Sequence, residues 1–178
     1  MPVIIRAMRA DEVEPFWHLA FSNPAAEWTK WNGPYFHDQL PTRAEFMATA
    51  DREWVQQPLR QVIAVDGAIV GAVTAYYEDG ALQRWLELGI VIYQADQWGQ
   101  HIGRQALSQW MTRLFAMTTL PHLGFTTWSG NTPMMRLGAG LGMRQEARIR
   151  QVRYWQRHYY DSVKYGILRE EWQVRSDQ

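Results

Sequence analysis

The chain opens with an apolar run, "VIIRAM" at 3–8, that reads as a short strand. From residue 9 the period changes. In "RADEVEPFWHLAF" (9–21) the apolar positions Val13, Phe16, Trp17 and Ala20 recur at three- and four-residue spacing, which predicts a helix starting among acidic residues. Residues 22–38, "SNPAAEWTKWNGPYFHD", have no period, and prolines and a glycine break this aromatic segment. Pro41 and Thr42 open a second helix to about Gln57, with Phe46, Trp54 and Val55 among its apolar members. A meander follows: "QVIAV" (61–65), the turn Asp66–Gly67 and "AIVGAVTAYYE" (68–78) form a hairpin, and Gly80 turns the chain into "RWLELGIVIY" (84–93).

A helix from 103 places Ala106, Leu107, Trp110, Met111 and Leu114 on one side. "LGFTTW" (123–128) is a strand. "NTPMMRLGAGLG" (131–142) is a short helix, with Asn131 as its N-cap and Gly142 beyond its end. Two tail strands, "QEARIRQVRYWQ" and "YYDSVKYGIL", complete the order β-α-α-β-β-β-α-β-α-β-β. That order predicts an α+β fold around a mixed central β-sheet with helices on both faces, as one domain over 1–178.

Composition narrows the functions. Hydrophobic residues are 47% and aromatics 13% of 178 residues, enough for a sizeable core. Lys+Arg and Asp+Glu are both 18, so there is no electrostatic footprint for nucleic acid or an anionic membrane. Arginines 144, 148, 150, 153 and 157 alternate with polar residues and read as a solvated sheet face. The absence of cysteine excludes disulfides, thiolate catalysis and cysteine-based metal sites. The start, "MPVIIRAMRADE", lacks a leader pattern and no apolar stretch is long enough to span a bilayer, so the expectation is a cytoplasmic protein.

Two segments carry candidate chemistry. "QWGQHIGRQAL" (97–107) follows the apolar "LELGIVIY" directly. Gly99 and Gly103 permit tight backbone geometry, and the free N–H groups of a helix start attract anions. On this stretch alone, a phosphate cradle and a plain strand-to-helix connection both remain open. In the preceding strand Trp85, Glu87 and Gly89 share one face, and Leu86, Leu88 and Ile90 the other. A charge inside an apolar strand needs water or a partner. Glu87 is therefore a candidate general base facing a cleft, or one half of an ion pair with Arg84 or an arginine of the tail strands.

"LELGIVIY…WGQHIGRQAL" resembles the acyl-CoA pyrophosphate motif of the GNAT N-acetyltransferase superfamily. "GNTPMMRLGAGLGM" resembles its second hallmark, and "YYDSVKYGILREEW" the closing strand of the branch acting on ribosomal-protein N-termini, polyamines and small amines. The resemblance covers roughly 61–172. It implies acetyl-CoA as co-substrate, no metal, and direct transfer to an amine acceptor (small amine, polyamine or protein N-terminus) in a ternary complex. A second copy of the chain is a further candidate partner. The resemblance also implies a gap beside the strand at 84–93, where backbone groups of Val91, Ile92 and Tyr93 pair with the pantetheine arm. The pyrophosphate would lie on Trp98, Gly99, Gln100, His101, Ile102, Gly103 and Arg104. Asn131 would contact CoA besides capping its helix, Arg136 would meet the adenosine phosphate or simply face solvent, and Trp28, Trp31, Tyr35 and Phe36 would wall the acceptor site or plug the loop onto the core.

The chain departs from the pattern at two functional slots. His101 stands where the family's turn has its central glycine. Gly138 stands where the family often carries a tyrosine assigned to protonating the leaving thiolate. The second departure raises an alternative function, an acyl-CoA-binding module without turnover.

Overall fold

In the computed structural model, which describes residues 2–176, seven strands form one sheet in the order β1-β2-β3-β4-β5-β7-β6. The strands are β1 (Val3–Arg6), β2 (Arg60–Val65), β3 (Ala68–Tyr77), β4 (Leu86–Ile92), β5 (His122–Trp128), β6 (Arg144–Trp155) and β7 (His158–Leu168). All neighbours are antiparallel except β4 and β5. The helices are α1 (Val13–Ala20), α2 (Arg43–Glu53), α3 (Ile102–Met117), α4 (Thr132–Gly140) and α5 (Arg169–Ser176).

The expected element order holds, with one addition. The last strand ends at Leu168, as "YYDSVKYGIL" predicts, and the chain then turns into α5, which was not expected. Glu171 takes the Leu168 N–H at 3.0 Å. The Arg169 guanidinium donates to the carbonyls of Phe115, Thr118 and Leu120, fastening the new helix to the end of α3. The second helix is shorter than expected. Thr42 and Glu45 form a reciprocal capping box at its start, and at its other end Val55 leaves to bridge Met8.

The two sheet faces bury separate cores. On one, α3 lays Ala106, Leu107, Trp110, Met111 and Leu114 against Leu86 and Leu88 of β4. The other carries α1 and α2, where Phe16, Phe46 and Trp54 pack around Tyr93 and Trp28. The segment between α1 and α2 lies on this second face, which prepares a walled space over β4 and β5.

Candidate active site

Parallel pairing between β4 and β5 is confined to Leu86–Leu123 and Glu87–Gly124. Beyond that point β4 stays with β3 as far as Ile92, and β5 stays with β7 as far as Trp128, so the two strands diverge. The Tyr93 N–H is bonded to the Val70 carbonyl at 3.0 Å. Backbone groups alternate sides along an antiparallel strand, so Val91 faces Ala72 of β3, while Leu88, Ile90 and Ile92 turn their groups to the gap. This corrects the expected pattern: Ile90 and Ile92, not Val91 and Tyr93, turn their backbone groups into the gap. The Ile92 carbonyl already accepts from the Trp98 indole at 3.0 Å. Tyr93 is buried against Phe16 and Trp28, and burial pushes its phenol well above the ordinary range.

At the mouth of the gap the chain turns through Gly99 (φ 76°) and His101 (φ 62°) into α3. Both are left-handed, so the histidine occupies a conformation that glycine adopts without cost. No side chain caps α3, which leaves the N–H groups of its first turn available to an anion. Trp98, Gly99 and Gly103 line a cavity of about 340 Å³ together with Ile90, Val91 and Ile92. A Cβ on Gly103 would meet Leu137 at 3.7 Å, an ordinary contact, so glycine leaves room there without being forced by the backbone.

The side chains of the other residues expected at the cofactor have partners or surroundings of their own. The Gln100 amide donates to the Asp96 carbonyl at 2.9 Å. Arg104 lines a separate cavity with Arg175, and Arg136 is exposed and lines neither cavity of the cleft. Asn131 caps α4 by accepting the Met134 N–H at 3.2 Å, and its amide nitrogen donates to the Trp31 carbonyl at 3.2 Å. The Trp128 indole donates to the same carbonyl at 3.0 Å. One backbone oxygen thus ties the 22–38 segment to the ends of β5 and α4.

A second cavity of about 430 Å³ lies beside the first, and Trp28, Trp31, Ile90, Val91, Asn131 and Met134 line both. The expected acceptor wall is brought together here, since Trp28, Trp31, Tyr35 and Phe36 all line this second space. Its floor includes Gly89 and Thr126. A Cβ on Gly89 would stand 2.9 Å from the Thr74 hydroxyl, so the absent side chain keeps the floor open.

Glu87 lies on the face expected for it but does not open to the cleft. It is 2% exposed. Its Oε2 accepts from the hydroxyls of Thr126 at 2.7 Å and Tyr76 at 3.1 Å, and its Oε1 accepts from the Lys164 ammonium at 2.8 Å. Lys164 also donates to Thr126 Oγ1 at 2.8 Å and sits 4.7 Å from the centre of the Trp85 ring. Burial, reinforced by the Glu87 charge, holds the Tyr76 phenol well above its ordinary pKa. The partner is a lysine of the last strand rather than Arg84 or a tail arginine. Of this group only Thr126 lines the cavity. The sequence reading missed Thr126, Lys164 and Tyr76, which lie on three different strands.

Gly138 is packed rather than vacant. A Cβ there would stand 2.6 Å from the Phe125 ring, which is stacked on Tyr165. A tyrosine at this slot has no room without moving Phe125.

The model of the acetyltransferase (GNAT) domain matches residues 3–144. The chain belongs to the GNAT acetyltransferase family. Consistent with that membership, it is 25% identical over 132 residues to an uncharacterized, SPbeta prophage-derived N-acetyltransferase of Bacillus subtilis, covering 69% of this chain and 72% of the relative. Spermidine N-acetyltransferase from Vibrio cholerae, solved with CoA and spermine, superposes with a TM-score of 0.76 at 16% identity, over 96% of this chain and 98% of that one. The aminoglycoside acetyltransferase AAC(6')-Ib, solved with coenzyme A, gives 0.74 at 13% identity, over 99% and 100%. At such identities the two structures establish a shared fold. Among the described residues no helix is long and apolar enough to cross a membrane, and no cluster of three or more His, Asp or Glu could hold a metal ion.

Proposed function

We propose that this acetyltransferase moves the acetyl group of acetyl-CoA directly to a primary amine, with both substrates bound together. The observation that carries the reading is the opening of β4 from β5 into two cavities that share a wall. The first suits a narrow extended arm. It has backbone groups of Ile90 along one side, and the uncapped start of α3 lies at the end where a pyrophosphate would sit. The second is where an amine would meet the thioester.

An alkylamine is an ammonium at neutral pH and attacks only after losing a proton. In this reading that proton passes to Thr126 Oγ1 as the hydroxyl proton moves to Glu87 Oε2, so ammonium becomes amine and carboxylate becomes acid. The amine nitrogen then bonds to the acetyl carbon, the C–S bond breaks, and the nitrogen gives its surplus proton to solvent. A thiol is a far stronger acid than an alcohol, with cysteine itself at about 8.5, so the sulfur can leave as thiolate, and the lack of an acid at Gly138 is no barrier to turnover.

Thiol release in the presence of a primary amine tests this. Glu87→Gln and Thr126→Val are each expected to lower kcat about 10²–10⁴-fold, the usual range for lost proton transfer, with acetyl-CoA affinity unchanged. Full activity in both variants would reduce the buried carboxylate to a structural role. Acetyl-CoA binding by the wild type without turnover on any amine would favour the binding-module reading.

A further inference from the structure

The acceptor cavity is built for a different chemistry from that of a polycation site. Nine of its 22 lining residues are aromatic, and Asp38 is the single one with a formal charge at neutral pH. Among the described lining residues there is no lysine, arginine, histidine or glutamate. The aromatic walls are held in place. Trp128 stands edge-on to Tyr35 at 5.8 Å and holds the Trp31 carbonyl, and Tyr35 and Phe36 lie 4.6 Å apart.

The charges decide which amine fits. A single reacting ammonium has the Thr126 hydroxyl beside it and, behind that, the paired Glu87 carboxylate and Lys164 ammonium. Any second or third ammonium would find only Asp38, which is exposed. Arg153 stacks its guanidinium on Tyr35 and Phe36 at 5.0 and 5.1 Å, which places a positive charge next to the same wall. Extra cations brought into this space would exchange their hydration for ring faces, two of which Arg153 already occupies, and one exposed carboxylate, a poor return for desolvating them. An acceptor carboxylate would find no cationic side chain on the lining itself, only the Arg153 guanidinium stacked on the rings of Tyr35 and Phe36. A flat or aliphatic body matches the walls, which reward apolar area and ring contacts.

We propose that the acceptor is a small apolar monoamine, an arylalkylamine or alkylamine without a carboxylate. The proposal rests on the amine-acetylation reading above and narrows it.

The test is thiol release by the full chain at saturating acetyl-CoA, comparing kcat/KM for tryptamine, tryptophan, spermidine, kanamycin and an alanine-initiated hexapeptide. Tryptamine is expected to exceed each of the others by at least about tenfold, because unpaired polar groups are penalised more strongly than missing apolar ones. Phe36→Ala, at a ring that is 57% exposed and so removable without opening the core, should lower the tryptamine value about tenfold or more and leave the KM for acetyl-CoA unchanged. A higher kcat/KM for spermidine, kanamycin, tryptophan or the peptide would overturn the assignment. A second arm separates it from the reaction itself: 2-phenylethylamine, an arylalkylamine transparent where tryptophan is excited, should quench tryptophan fluorescence saturably with CoA present, and spermidine should not. Quenching without thiol release would sink the transfer reading while leaving the pocket assignment standing, and turnover of spermidine alone would do the reverse.

Discussion

Lys164→Met removes the cation from a carboxylate that has no access to water. In the native chain Lys164 Nζ lies 2.8 Å from Glu87 Oε1, and the lysine side chain is 25% exposed while that of Glu87 is 2% exposed. At that separation and an effective dielectric near 20, the gross attraction is about 6 kcal/mol, much of it offset by the cost of taking both charges out of water. Removing one member of a buried pair typically costs about 3–5 kcal/mol. The partial exposure of Lys164 argues for the lower end, about 3 kcal/mol. For a chain of this length that corresponds to a fall in Tm of roughly 6–12 °C. Thermal unfolding of the wild type, Glu87→Gln, Lys164→Met and the double variant would close the cycle. The double variant should recover much of the loss, because it leaves no lone charge. A Tm for Lys164→Met within a degree or two of wild type would refute the account of this network.

Other expectations follow from the same structure. Gly103→Val should abolish acetyl-CoA binding by calorimetry while barely moving Tm, since the added carbons project into the first cavity and the backbone there is ordinary helix. His101→Gly should raise stability by up to about 1 kcal/mol, as expected where a side chain gives up a left-handed φ, and should leave binding intact. Hydrogen bonding from Arg6 holds the Glu12 carboxyl below its ordinary value, so the pair stabilises the fold above about pH 4.5 and that contribution fades as pH falls through the lower folded value. Glu12→Gln should therefore be less stable at pH 7, and its Tm should approach that of wild type in acid. The Tyr76 phenol titrates above its ordinary value, so its neutral form stabilises the fold fully below pH 10 and the benefit is lost as pH rises beyond it. Tyr76→Phe should unfold less steeply with pH on the alkaline side.

The fold could be read from periodicity because most of its elements are amphipathic in a simple way. Leu86, Leu88 and Ile90 alternating with Glu87 and Gly89 fixed which face of β4 meets α3, and the structure keeps that assignment. Helix α5 escaped because "REEWQVRS" has a single large apolar anchor, Trp172, and what fastens it is Arg169 on the carbonyls at the end of α3, a contact between distant parts of the chain. The glycine turn was visible because positive φ restricts residue type. Its continuation at His101 shows that a non-glycine residue can hold the same shape.

The aromatic lining of the second cavity was also readable in outline, since Trp28, Trp31, Tyr35 and Phe36 are close in sequence. The buried network around Glu87 was not. Glu87, Thr126 and Lys164 sit on β4, β5 and β7, and only sheet register brings them within 3 Å of one another. A lysine alternating with buried Val163 and Ile167 in β7 was the one available hint that an apolar strand elsewhere carried its counter-charge. The backbone side of β4 that faces the gap was misjudged for a related reason. It depends on the bond from Tyr93 to Val70, which pairing alone determines.

Direct transfer across the gap between β4 and β5 is tested most directly by following product and thiol together. Purified chain, acetyl-CoA and tryptamine are incubated, the acetylated amine is measured by mass spectrometry, and CoA is measured by thiol titration. The account predicts one N-acetylated amine for each thiol released, initial rates whose double-reciprocal lines intersect as in a ternary complex, and no acetyl group left on the protein. Parallel lines with an acetylated protein intermediate, or thiol released without acetylated amine, would contradict it.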